Sequence, residues 1–327
     1  MNKETAKIVL EIGGNAMGDL KLAEEMVRQA SKCAIWAVKF QAYRVRDFIH
    51  RDNPAYEELL GEEMDFGDLA SLIKLSHDLS LRCGITVFDP SGIDLAHRAG
   101  ADFIKLSSGD INYLYLLKAL SRSQLPLVLS TGASSQSEVD RALSLFDKPP
   151  LALLQCSSIY PCAKEDINLS VMDNWLNLGL PAGLSDHSLG IDASILALQM
   201  GAVMVEKHFT TDPKLPGGDN SMSIDPRLAE DLSLWEKAPK LDPSESPYWG
   251  KKLKKPLSQE RPDLIRRHAV AGKDLKKGAP LKESQVKFLR VSHRKNPKLI
   301  NADSDITKLI PNRDIPEDAV LLEEFFT

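Results

Sequence analysis

The sequence predicts an α/β protein: a (β/α)8 TIM barrel followed by a small C-terminal β-rich domain. Three observations predict it. Strand-like and helix-like stretches alternate eight times within the first 240 residues, matching such a barrel in count and size. The strand-like stretches are short and mostly apolar, as expected of parallel strands covered on both faces. The first turn, Gly13-Gly14-Asn15, lacks the G-x-G-x-x-G spacing that a doubly wound sheet commonly carries after its first strand.

Along the chain, the apolar run 8–12 opens the barrel, and Asp19 stands as a cap before the helix-like stretch 20–32. Run 34–41 is the second strand and stretch 69–81 the helix before the third, 84–88. Ser91 is placed to cap the helix 92–99, and Gly100-Ala101-Asp102 reads as a tight turn into strand 102–106, the glycine supplying a positive φ. Strand 126–130 leads to Ser135, a cap for 136–146, and strand 151–155 leads to the helix 171–178. Strand 182–185, helix 193–200 and strand 202–208 complete the set, with Gly201-Ala202-Val203 as another helix-to-strand turn.

The expected division is a barrel over 1–240, a linker over 241–263 and a tail domain over 264–327. Pro239, Pro243, Pro247, Pro256 and Pro262 oppose both helix and central strand across the linker. The tail holds β-like pieces at 267–271, 286–289 and 319–322, and is too small to bury much core without help.

Of the 327 residues, 43% are hydrophobic and 27% charged, an ordinary composition for a globular chain. No run approaches the roughly 20 apolar residues of a membrane span, and Met1-Asn2-Lys3-Glu4-Thr5 begins no signal-peptide pattern. Cys33, Cys83, Cys156 and Cys162 form no C-x-x-C pair and read as thiols of a reducing compartment, so the expected location is the cytoplasm. The net charge of −5 divides into +7 over residues 248–327 and −12 over the rest. A basic tail on an acidic body suits docking between the two, or phosphate recognition. It lacks interleaved aromatics, so no nucleic acid is expected as a partner.

Barrels of this kind build their sites at the C-terminal ends of the strands. Read in order, those ends are Glu11; Lys39 and Gln41; Thr86 and Asp89; Lys105, Ser107 and Ser108; Ser130 and Thr131; Gln155; Ser185 and His187; Glu206 and His208. Lysine is normally expelled from a buried strand because its charge resists desolvation. Lys39 and Lys105 therefore either meet a small, highly anionic ligand or pair with rim carboxylates. His187 and His208, about one strand–helix unit apart, converge only if the barrel closes, and then suit one divalent metal. Ser130-Thr131-Gly132 offers hydroxyls and backbone N–H groups to an anion. Asp219, in Pro216-Gly217-Gly218-Asp219-Asn220, either contacts substrate or solvates a turn.

Nearly the whole chain resembles the N-acetylneuraminate (sialic acid) synthase family, with its legionaminate, pseudaminate and spore-coat relatives. The resemblance is carried by Glu11-Ile12-Gly13-Gly14-Asn15, Val38-Lys39-Phe40-Gln41, Lys105-Leu106-Ser107-Ser108-Gly109-Asp110, Ser130-Thr131-Gly132, Tyr160-Pro161, Ser185-Asp186-His187 and Glu206-Lys207-His208-Phe209. The tail, with Arg266-Arg267 and Lys273-Asp274-Leu275-Lys276-Lys277-Gly278, resembles the family's antifreeze-like (SAF) domain. The resemblance implies condensation of phosphoenolpyruvate with the aldehyde of an N-acylated amino sugar, giving a nonulosonic acid and phosphate by C–O cleavage. It implies that His187 and His208 hold Mn²⁺, with Mg²⁺ or Co²⁺ as alternatives. Lys39, Thr86, Lys105, Ser108, Ser130 and Ser158 would bind phosphoenolpyruvate. Gln41, Tyr160 and Asp219 would contact the substrates, and Glu11 would also move a proton. Arg267 would reach sugar bound in the other chain of a domain-swapped homodimer.

The chain departs from the family pattern at several positions. Ala16 stands where histidine is usual, and the expectation is that it enlarges or dries the sugar pocket. Gln155 and Ser158 replace the commoner histidine and asparagine. Thr86 is followed by Val87 rather than proline, and the tail reads Phe288-Leu289-Arg290-Val291 without an Arg-Pro-Gly turn. Two rival readings are a phosphoenolpyruvate-dependent synthase for a simpler sugar phosphate and a non-catalytic sugar- or phosphate-binding paralogue. The tail opposes the first, and the retained histidines, Glu11 and lysines oppose the second.

Overall fold

The computed structural model describes residues 6–250, 254–256, 260, 262–292 and 298–327. Residues 1–5, on which the signal-peptide expectation rests, lie outside the described residues, as do parts of the linker and residues 293–297. Eight parallel strands close into a barrel in sequence order: β1 (Lys7–Glu11), β2 (Ala37–Ala42), β3 (Arg82–Val87), β4 (Phe103–Leu106), β5 (Leu127–Ser130), β6 (Ala152–Cys156), β7 (Ala182–Asp186) and β8 (Met204–His208). β1 pairs with both β2 and β8, with Glu11 beside Lys39 on one side and His208 on the other.

The expected helices form, with corrections that have local causes. Asp19 caps Leu20–Ala30, and Ser135 closes a capping box with Glu138 on Gln136–Leu143. The cap of Pro90–Ala99 is Asp89 rather than Ser91, because Pro90 takes the first helical position and Asp89 accepts from the Ser91 and Gly92 N–H groups. Gly100 and Gly201 adopt φ of 77° and 99° as expected. The helix Leu114–Leu120 escaped the sequence reading. Its seven residues have no polar stripe apart from Lys118, and no side chain caps its start.

Two-residue alternation sorts each strand. Val9, Ala37, Phe103, Val128, Ala152, Leu154 and Met204 form one buried cluster, the floor of the barrel interior. Phe103 fills the space left by Gly84, where an added Cβ would overlap its ring. Further along the same inward rows come Glu11, Lys39, Thr86, Lys105, Ser130, Cys156, Ser185 and Glu206, so the packed floor passes upward into a polar layer. On the outer side, Lys207 is fully buried and pairs with Asp186 at 3.1 Å, and Asp186 also accepts from Ser188 and Ser194. Burial acts to raise the Asp186 carboxyl, but Lys207 and the serines hold it below its usual value.

After the last barrel helix (Pro226–Ser233) the described chain makes only short 3₁₀ turns until Pro262–Ile265. β9 (His268–Ala271) and β10 (Val286–Leu289) then form an antiparallel pair. The third expected β-piece makes only isolated bridges, Val270 to Val320 and Leu299 to Leu322. The help this small tail needs comes from the barrel. Phe288 packs against Tyr113 and Tyr115. Ion pairs join body and tail at Arg267–Asp110, Arg266–Glu138, Arg141–Asp303 and Lys287–Asp47.

Arg267 is a correction. It is fully buried, donates to Asp110 and to the Asp47 and Phe288 carbonyls, and lies over the Phe48 and Tyr113 rings. A side chain so enclosed has no reach toward sugar in another subunit. In the single chain described, the tail packs against the barrel of its own chain.

Candidate active site

A cavity of about 350 Å³ lies over the C-terminal ends of the strands. Glu11, Lys39, Gln41, Thr86, Lys105, Ser108, Ser130, Ser158, Tyr160, His187, His208 and Asp219 all line it, while Arg267 does not. Cys156, Phe88, Ile265 and Arg290 join them without having been singled out as site residues.

Charge is nearly balanced in the deepest layer. Lys39 pairs with Glu11, lies 3.8 Å from Glu206, and donates to the Thr86 hydroxyl at 2.6 Å. Lys105 pairs with Glu206, which also accepts from Ser185 at 3.2 Å. Gln41 donates to Glu11 at 2.9 Å. Burial alone would lower the Lys39 ammonium, but Glu11 and Glu206 outweigh it and hold the group above its usual value. Burial likewise acts to raise Glu206, and Lys105 and Lys39 override it, holding the carboxyl at about 2. The two lysines therefore pair with rim carboxylates, the second alternative read from the sequence, while also lining the cavity.

Ser108, Gly132 and Ser158 bring three strand-end loops together. The Gly132 N–H donates to the Ser108 hydroxyl at 2.8 Å, and a Cβ at Gly132 would collide with the Ser158 and Ser108 hydroxyls. The Ser130 hydroxyl is buried with no hydrogen-bond partner, although it lines the cavity. A buried hydroxyl left in this way is suited to an anionic ligand that would satisfy it.

His187 and His208 lie edge to face with ring centroids 5.4 Å apart, and Tyr160 stacks on His187 at 4.0 Å. His187 Nδ1 lies 2.7 Å from the Ser157 carbonyl, which fixes the ring and leaves Nε2 for another partner. Burial pushes His208 down to about 4 despite Asp219, whose carboxylate is 3.5 Å from Nδ1. A neutral imidazole is the form that binds metal. Among the described residues no group of three or more His, Cys, Asp or Glu side chains is placed to hold a metal ion. The donors present here are the two imidazoles, with the Asp219 carboxylate beside His208, which is fewer than the four protein ligands of a closed structural site.

The first-strand motif acts through Asn15. Its side chain donates to the Phe209 carbonyl and the Ser223 hydroxyl and accepts from the Asp219 N–H at 2.8 Å, fixing the loop that carries Asp219. Ala16 is a correction. It is wholly buried in the main core and lines neither this cavity nor the adjoining one of about 310 Å³ around Asn53, Leu59 and Glu62. Gln155 faces outward between the inward Leu154 and Cys156, donating to the Ile167 carbonyl and accepting from Lys254. Counting inward positions along β6 would have found Cys156 instead. Arg290 left no such signal. It reaches the cavity because the end of β10 runs beside Phe48-Ile49-His50, and its guanidinium lies 4.4 Å over the Phe48 ring.

Comparison with known proteins gives a consistent result. The NeuB family model matches residues 26–234. An N,N'-diacetyllegionaminic acid synthase from Legionella pneumophila is 33% identical, over 94% of this chain and 90% of its own length. Among solved structures, the N-acetylneuraminic acid synthetase of Leptospira borgpetersenii is 32% identical, with a TM-score of 0.69 over 73% of this chain and 87% of that one. A spore coat polysaccharide biosynthesis protein of Bacillus subtilis shares the fold across 99% of this chain and 96% of that one, with a TM-score of 0.84 at 24% identity.

Proposed function

This chain belongs to the NeuB family, and from that premise we propose that it is a nonulosonic acid synthase, a C–C bond-forming transferase. It condenses phosphoenolpyruvate with the open-chain aldehyde of an N-acylated amino sugar. C3 of phosphoenolpyruvate bonds to the aldehyde carbon, water adds at C2, and the C2–O bond to phosphate breaks, leaving a 2-keto acid and inorganic phosphate. The observation that carries this reading is the shared cavity. Two buried lysines, an unpaired serine hydroxyl and two adjacent imidazoles lie together over one end of the barrel.

In this proposal Lys39, Thr86, Lys105, Ser108, Ser130 and Ser158 hold phosphoenolpyruvate, with ammoniums and hydroxyls meeting its carboxylate and phosphate. His187 and His208 hold a divalent ion, Mn²⁺ or else Mg²⁺ or Co²⁺, which supplies Lewis-acid polarisation of the aldehyde oxygen when bound. Gln41, Tyr160, Asp219 and Arg290 orient the acceptor. Glu11, fixed between Lys39 and Gln41, is the carboxylate set to take or return a proton as the bond forms. Against the effect of burial, Lys105 and Lys39 hold the Glu206 carboxyl well below its usual range.

The finer architecture belongs to the same proposal. Residues 1–240 form the synthase barrel, 241–263 a proline-rich linker and 264–327 an antifreeze-like (SAF) domain, supported by the β9–β10 pair and the change of structure after Ser233. The protein works as a homodimer in the cytoplasm. Its four free, buried cysteines suit a reducing compartment, and no described helix is long and apolar enough to cross a membrane.

The test is mass spectrometry of products formed from phosphoenolpyruvate and a panel of acylamino sugars, with and without Mn²⁺, alongside phosphate release. A mass equal to sugar plus pyruvate, with one phosphate per product, is expected. Phosphoenolpyruvate labelled with ¹⁸O at the bridging position should deliver the label to phosphate. Turnover only with simple sugar phosphates would favour the first rival reading, and no phosphate release with any acceptor would favour the non-catalytic one.

A further inference from the structure

Glu260 lies behind the anion side of the cavity. It is buried, and one of its carboxylate oxygens accepts from two backbone N–H groups, Ala133 at 2.6 Å and Ser158 at 2.7 Å. These donors belong to different loops, the first following β5 and the second following β6. Ala133 has φ of +50°, a left-handed conformation that a residue with a Cβ adopts only under constraint. Both of its backbone polar groups are held, because Arg266 donates to the Ala133 carbonyl at 3.0 Å while Glu260 accepts from the N–H. Arg266 also donates to the Ser108 carbonyl at 2.7 Å and the Ser134 hydroxyl at 3.1 Å. Behind this layer, buried Lys254 donates to Gln155 on β6.

We propose that Glu260 is a positioning residue for phosphoenolpyruvate: its carboxylate ties the β5 and β6 loops together so that Ser130, Gly132 and Ser158 face one anion. This rests on the reading of the cavity given above. Glu260 does not itself line the cavity, so its charge acts on the loops rather than on the ligand. A bare carboxylate so near an anion site would repel the substrate. The two N–H groups it accepts, with Lys254 and Arg266 close by, offset that repulsion. Because the linker supplies this tie, the phosphoenolpyruvate half of the site is complete only when the chain beyond the barrel is docked.

The test compares full-length wild type, Glu260→Ala and Glu260→Gln in steady-state kinetics for both substrates, with calorimetric binding of phosphoenolpyruvate alone. Glu260→Ala should raise KM and Kd for phosphoenolpyruvate by about tenfold or more while moving the acceptor KM little. Glu260→Gln keeps an oxygen able to accept both N–H groups and should recover most of the loss. A lower phosphoenolpyruvate KM in Glu260→Ala would overturn the proposal, showing a carboxylate that competes with the ligand. An equal rise in both KM values, or no recovery in Glu260→Gln, would overturn it as well. If Glu260→Ala does not fold, Glu260→Gln set against Glu260→Asp, whose shorter side chain cannot span both loops, makes the same comparison. Absence of phosphoenolpyruvate binding to wild type would defeat the functional reading instead. Normal wild-type binding with an unchanged Glu260→Ala would defeat only this inference.

Discussion

The division of labour between adjacent arginines is the clearest residue-level result. Arg267 is a structural cation, its guanidinium enclosed by Asp110, two carbonyls and two rings. Arg267→Ala leaves Asp110 charged and unpaired in the interior, and should destabilise the fold by about 3–5 kcal/mol, measured as a shift in urea midpoint. Arg290 reaches the cavity, so Arg290→Ala should instead raise the acceptor KM by about tenfold and leave phosphoenolpyruvate KM near wild type in the kinetic assay. Glu62 offers a pH test away from the histidines. Burial, with Asp219 and Glu58, pushes its carboxyl up to about 7. Its contribution to stability is therefore present below the ordinary value of 4.5 and is lost as pH rises through about 7. Glu62→Gln should flatten that decline in urea midpoint between pH 5 and 8, and an unchanged slope would show that the carboxyl titrates normally.

At the scale of elements, strand alternation does most of the functional placement. The same row that puts Phe103 in the barrel floor puts Lys105 in the cavity two residues later. Gly84 exists for that ring: Gly84→Ala drives a methyl into Phe103 and should cost about 1–3 kcal/mol in denaturant unfolding. This alternation was readable in the sequence and was applied unevenly. Gln155 was taken as a rim residue although its inward neighbour is Cys156. Helix starts with side-chain caps were legible, as at Asp19 and Ser135. The helix Leu114–Leu120 was not, because it is short, has no side-chain cap and carries Lys118 as its one charged residue, too little to mark a polar face.

For the whole molecule, the opposite charges of body and tail are spent on specific contacts, and the tail closes the cavity of its own chain through Ile265 and Arg290. Mixing an inactive Lys105→Ala protein with the Arg290→Ala protein, at acceptor concentrations far below KM, tests this directly: closure within one chain predicts no activity above that of Arg290→Ala alone. The readout is a phosphate-release assay set against that baseline. Recovered activity would show that the tail is exchanged between subunits of a dimer.

Local pattern was enough for the barrel, because strand period, helix caps and turn glycines are each set by neighbours a few residues away. It was also enough to nominate the polar strand ends that the closed barrel gathers into one cavity. Docking of the tail was decided only by tertiary structure. Which of Arg266, Arg267 and Arg290 braces a loop, which closes a buried ion pair and which meets the cavity depends on contacts with Ala133, Asp110 and Phe48, more than 130 residues distant along the chain. Ala16 illustrates the same point: its place in the motif is visible in sequence, but whether it faces ligand or core depends on how the chain packs around it.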